Sequence, residues 1–160
     1  MGYSFEITSS IDLLNELSCR VDDYNNNNLS SGKAVVCSIF CWHLVEWIYH
    51  EYDDQLSEFK RLRDFQEYVK KACVSLSFIQ AVANGSKHRG INRYKPAVRS
   101  TERKNGAFSS GFSNDFDISH LVMEIEDGKF VYFQEEINKA LSFLKSYLNG
   151  LTNNPLINKE

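Results

Sequence analysis

Residues 33 to 52 read KAVVCSIFCWHLVEWIYHEY, and the fold turns on whether this run is helix or strand. A strand normally spans about five or six residues, and no glycine or proline divides this stretch. It is apolar on nearly every side, the pattern of a helix buried at the centre of a bundle. Its few polar side chains, His43, Glu46, His50 and then Asp53, follow one another at helical spacing and share one stripe.

The segments around it are helical too. From Ser10 to about Tyr24, Ile11, Leu14, Leu17, Val21 and Tyr24 recur at helical spacing, with Ser9 or Ser10 as N-cap. The polar stretch NNNNLSSG separates this helix from the central one. After it, DDQLSEFKRLR reads as a short helix or helical turn. Asp64 and Glu67 then have the layout of a capping box. The stripe Phe65, Tyr68, Val69, Ala72, Leu76, Ile79 and Ala83 predicts one long helix, with Asn84-Gly85 as its stop. A final helix is expected over Gln134 to Leu148, through Ile137, Leu141, Leu144 and Leu148, with Gly150 beyond.

Two stretches depart from this pattern. Gly90 to Asn114 reads as a long irregular excursion. HLVMEIEDGKFVYF, from His120 to Phe133, alternates in polarity around Asp127-Gly128, the dipeptide that supplies positive φ to a β-hairpin turn. The expected fold is therefore mostly α: a bundle of about four long helices with one β-hairpin inserted before the C-terminal helix. With 160 residues, 42% of them hydrophobic, one domain over 1–150 can enclose a core, and 151–160 reads as a frayed tail. Trp42, Trp47, Phe65, Leu76 and Ile79 are its candidate core residues.

Several classes of protein are disfavoured. No uncharged apolar run is long enough to span a bilayer, and the N-terminus lacks the basic and apolar regions of a secretory signal. MGYSFE has Glu6 where a myristoylation signal wants Ser or Thr. Cys19, Cys37, Cys41 and Cys73 form no CxxC pair, so reduced thiols in a cytoplasmic protein are expected. Cys37 and Cys41 lie on the apolar helix, where core packing is their ordinary role. His43, Glu46 and His50 share a face but match no metal-binding spacing, so no metal and no cofactor is expected. No Gly-rich phosphate loop or serine-nucleophile motif is present.

Charge is more telling. The net charge is −3, yet Lys87, Arg89, Arg93, Lys95, Arg99, Arg103 and Lys104 face a single acid, Glu102, between residues 87 and 105. Such an excess is either an anion or nucleic-acid footprint or a solvated loop. At its start lies Lys87-His88-Arg89. His88 there is either a general acid/base beside a phosphodiester held by Arg89 and Lys87, or part of a basic helix cap. Lys87, Arg93, Lys95, Arg99 and Arg103, with His43, Glu46 and His50 on the central helix, are the candidate binding residues. His43 and His88 are expected to lie close together.

CWHLVEWIYHE (41–51), FIQAVANGSKH (78–88) and the closing MEIEDGKFVYFQEEINKALSFLKSYL (123–148) carry a resemblance. The chain resembles a loose set of small, uncharacterised bacterial and phage helical proteins that share a Trp-His-x-x-Asp/Glu-Trp helix and an Ala-Asn-Gly-Ser-Lys-His motif. More remotely, the helical layout with a histidine at a helix end is similar to the HEPN superfamily of α-helical RNases and nucleotide-interacting proteins. That family belongs to toxin–antitoxin and phage-defence systems. Its RNases use Arg-x(4–6)-His; with His88 as the histidine, the arginine positions hold Ala81, Val82 and Ala83. The resemblance therefore implies a non-enzymatic binding domain, with RNA or DNA as partner. One alternative is a metal-independent RNase with a rearranged site around His88 and Arg89. Another is a protein-interaction subunit or homodimer, with no membrane partner.

Overall fold

The computed structural model describes residues 4–89, 96–104 and 119–153. Helix α1 (Ser10–Asn25) is followed by α2 (Ser31–Glu51), α3 (Leu62–Ala72) and α4 (Ser75–Lys87). Strands β1 (Ser100–Lys104), β2 (His120–Glu124) and β3 (Phe130–Tyr132) come next, then α5 (Phe133–Thr152). The protein is mostly helical, with a small antiparallel sheet inserted before the last helix. One core cluster collects buried side chains from all five helices and from β2. Among the described residues, no helix is long and apolar enough to cross a membrane.

Helix α1 begins with a reciprocal cap. The Asp12 N–H donates to Ser9 Oγ at 3.1 Å, and the Ser9 N–H donates to the Asp12 carboxylate at 2.9 Å. Hydrogen bonding from the Ser9 hydroxyl, and then from the Thr8 N–H, holds the Asp12 carboxyl below its usual range. The buried face is Ser10, Leu13, Leu17, Val21 and Tyr24, whereas Ile11 is exposed and Leu14 half-buried. The helix is thus rotated from the orientation its isoleucine suggests, because Tyr24 and Leu17 anchor it. The Tyr24 ring meets Phe133 edge-on at 5.2 Å, and its hydroxyl donates to the Asn28 carbonyl.

Helix α2 is the central element. Cys37, Cys41, Leu44, Val45 and Ile48 are buried, with Trp42 beside them and Trp47 half-buried at the margin. Burial pushes the Cys37 thiol up to about 11, and pushes the Cys41 thiol further still. Both are core-packing groups rather than nucleophiles. Beyond α2, hydrogen-bonded turns over 52–59 bury Leu56 and bring Phe59 against Phe65.

The single helix expected from Asp64 to Asn84 is two helices. Cys73 is extended (φ −139°, ψ 98°), and α3 and α4 lie on either side of it. A straight helix burying Phe65, Val69, Leu76 and Ile79 would turn Phe78 and Ala81 away from that face; the break lets α4 bury Phe78 and Ala81 as well as Leu76, Ile79 and Ala83. It also delivers the Ser75 hydroxyl to the Glu136 carboxylate, a buried contact onto α5 that Lys139 joins at 2.8 Å. Asp64 makes no capping box: its carboxylate accepts from the Arg61 guanidinium at 2.7 and 3.1 Å. Nor does Asn84-Gly85 stop α4. Gly85 is an ordinary helical residue, and the helix runs to Lys87 with His88 as C-cap.

The excursion expected over 90–114 contains a strand. Residues 90–95 and 105–114 lie outside the described residues, but Ser100–Lys104 pairs antiparallel with β2, with Glu102 opposite Val122. The strand order is β1-β2-β3. An all-exposed edge strand has no apolar face to bury, so its sequence, STERK, carries no alternation to reveal it. The hairpin itself is as expected: Asp127 and Gly128 both have positive φ, 64° and 69°. Met123, on the inner face of β2, is buried in the helical core. Helix α5 follows β3 directly and continues through Gly150 to Thr152, beyond the expected end at Leu148.

Candidate functional site

Helix α4 ends beside the start of β1, and its last turn forms one wall of a cleft of about 450 Å³. Ser86, His88 and Arg89 line it from the helix side, and Arg99, Ser100 and Thr101 from the strand side. Val35 of α2, with Ala81, Val82 and Val98, supplies the apolar floor. The geometry follows from local structure. His88 leaves the helix in an extended conformation (φ −124°, ψ 115°) while its N–H still donates to the Asn84 carbonyl. Arg99 is fixed at the mouth of the sheet by its N–H, which donates to the Glu124 carbonyl at 2.7 Å. The Ser86 hydroxyl closes the helix end on the Ala83 carbonyl.

Lys87, His88, Arg89 and Arg99 are exposed. Among the described residues, no carboxylate pairs with Lys87, Arg89 or Arg99. These cations stay available to an external anion, and Arg forks match phosphate oxygens. Arg103 is placed further along β1. It donates to the Leu29 carbonyl at 2.7 Å, at the entrance to α2. Lys104 turns elsewhere, 3.3 Å above the centroid of the Phe130 ring and 3.6 Å from Glu102. Arg93 and Lys95 lie outside the described residues.

Of the sequence-derived candidates, the structure therefore brings His88, Arg89 and Arg99 to one cleft. His43, Glu46 and His50 are not part of it. They line a separate shallow cleft with Thr8, Trp47 and Glu51, where His50 Nε2 lies 3.9 Å from Glu46. The expected meeting of His43 and His88 fails for a geometric reason. His88 lies beside Val35, and His43 is eight residues further along the same helix, about 12 Å at the α-helical rise. The α2 stripe is an outward-facing surface of exposed residues. Among the described residues, no group of three His, Cys, Asp or Glu side chains is arranged to hold a metal ion.

The cleft also bears on catalysis. Ala81, Val82 and Ala83 occupy the positions where an Arg-x(4–6)-His motif would place its arginine. The two alanines are buried and Val82 lines the apolar floor, so no cation can arise there. What sequence reasoning missed is Ser86, Ser100 and Thr101, the hydroxyls between the cations. They carry no periodicity or charge signal, and only the pairing of β1 with β2 brings two of them opposite α4. No protein-family model, curated protein or solved structure matches this chain.

Proposed function

We propose that the protein is a non-enzymatic, HEPN-like helical binding module of bacterial or phage defence context, acting in the cytoplasm. In this reading it grips nucleic acid along the cleft between α4 and β1. The observation that carries it is the convergence of Arg89 and Arg99, with His88 and the Thr101 hydroxyl, on one cleft; the Ser86 and Ser100 hydroxyls beside them already donate to the Ala83 carbonyl and the Glu124 carboxylate. Lys87 and Arg103 extend the cationic surface. Guanidinium and hydroxyl groups bind phosphate oxygens without reading bases, so backbone contacts supply the affinity. Absence of an arginine at residues 81–83 supports binding rather than cleavage.

The test is an equilibrium titration of labelled RNA and DNA at low and moderate salt. If Lys87, Arg89, Arg99 and Arg103 each contact a phosphate of a single strand, affinity falls roughly fiftyfold between 50 and 200 mM salt, at about 0.7 log units of slope per contact. Replacing all four by Gln should remove binding and flatten that dependence, while His88→Ala leaves binding in place. No binding at low salt overturns the reading in favour of a protein partner. Cleavage that disappears in His88→Ala overturns it in favour of an RNase.

A further inference from the structure

Next to the cationic cleft lies a second, smaller space, and of the residues singled out by the sequence as binding candidates Arg103 lines it. It occupies about 160 Å³ between the N-terminal half of α2, the C-terminal half of α4 and the inner face of the sheet. Val35, Val82, Leu121 and Phe133 make its walls apolar, and Thr101 and Arg103 stand at its polar side. An enclosed apolar cavity of about 150 Å³ accepts one benzene ring; this pocket is half-open to solvent and has a similar volume, room for a single six-membered ring. Thr101 and Arg103 are two apart on β1 and so project to the same face of the sheet. The Arg103 guanidinium is anchored through Nη2 to the Leu29 carbonyl, leaving its other N–H groups as donors held in place.

Val35, Val82 and Thr101 line both the chamber and the cationic cleft. A ring seated in the chamber is therefore continuous with whatever occupies the cleft beside Arg89 and Arg99. We propose that the chamber receives one unstacked base of the bound nucleic acid, with its phosphates in the adjoining cleft, and that the ligand is consequently a single strand. This rests on the nucleic-acid reading above and narrows it. In a duplex the bases are stacked and paired, and only their edges are open to a protein. A whole ring enters a walled chamber only when the strand is splayed. The charge distribution agrees: apart from Glu102, the charged residues lining the two spaces are arginines, opposite in sign to a phosphodiester backbone.

The experiment compares three probes by fluorescence anisotropy at one low salt concentration: a short oligothymidylate, an abasic strand with the same number of phosphates, and a duplex of the same length. Wild type should prefer oligothymidylate over the abasic strand on the order of tenfold, the size expected when one base leaves water for a packed site. It should also bind the duplex more weakly than oligothymidylate. Ser31→Phe fills the chamber from an exposed position outside the cationic cleft and should abolish the preference for a base while retaining affinity for the abasic strand. Leu121→Trp, which also lines the chamber and not the cleft, serves as the second variant should Ser31→Phe not fold. Equal binding of the thymidylate and abasic strands, tighter binding of the duplex, or a preference that survives in a folded filled variant each overturns the chamber proposal, with phosphate binding left standing. If none of the three probes binds, the nucleic-acid reading falls together with the chamber.

Discussion

The contact between Ser75 and Glu136 gives the sharpest test of why the chain breaks at Cys73. Both residues are buried, at 2% and 4% exposure, so neither can exchange the contact for water. The hydroxyl donates to the carboxylate, whose other oxygen accepts from Lys139 at 2.8 Å. Hydrogen bonds to charged groups contribute about 1.5–3 kcal/mol, and a buried acceptor left short of a partner costs a similar amount. Ser75→Ala should therefore destabilise the protein by about 2 kcal/mol, or roughly 4–8 °C in Tm for a chain of this size. The assay is a urea melt of Ser75→Ala, Glu136→Gln and the double variant. The two residues should couple by at least about 0.5 kcal/mol, since distant independent sites add within that margin. A loss below about half a kcal/mol for Ser75→Ala, or simple additivity, would refute the reading that this buried contact helps hold α4 against α5.

Leu76 is fully buried, and Leu76→Ala in the same melts should cost about 2–5 kcal/mol; a near-neutral result would mean that α4 packs by another face. The Asp12 and Asp64 carboxyls are held below their ordinary value of 3.8 in the folded state, so their stabilising effect is complete above that pH. It is lost as pH falls through the depressed folded-state values. Asp12→Asn should thus flatten part of the acid unfolding curve, and an unchanged curve would show that the cap is not ionised in the native state. Cys37 and Cys41 are buried with raised thiol pKa values while Cys19 is exposed, so a thiol reagent at mildly alkaline pH should label Cys19 first. The two α2 thiols should react only after denaturant is added, and rapid native labelling of Cys41 would contradict the buried position of α2.

Sequence by itself determined the elements whose signal is local. The α2 run has too much apolar surface for the helix to lie outside the core, and Asp127-Gly128 fixes a hairpin because both residues tolerate positive φ. The Ser9 cap needs only the three residues after it. Tertiary structure decided what depends on partners far along the chain. The stripe from Phe65 to Ala83 is compatible with one helix; the break at Cys73 follows from packing α4 against α2 and α5, with Glu136 sixty-one residues from the serine it meets. Strand β1 is invisible in STERK because its pairing partner, not its composition, makes it a strand. The same holds for the candidate site. Charge counting found Arg89 and Arg99, but only the fold could separate His88 from His43 and seat Ser100 and Thr101 opposite Ser86. Periodicity records which face a residue takes on its own element, whereas a cleft is set by the angles between elements, and those arise from long-range contacts.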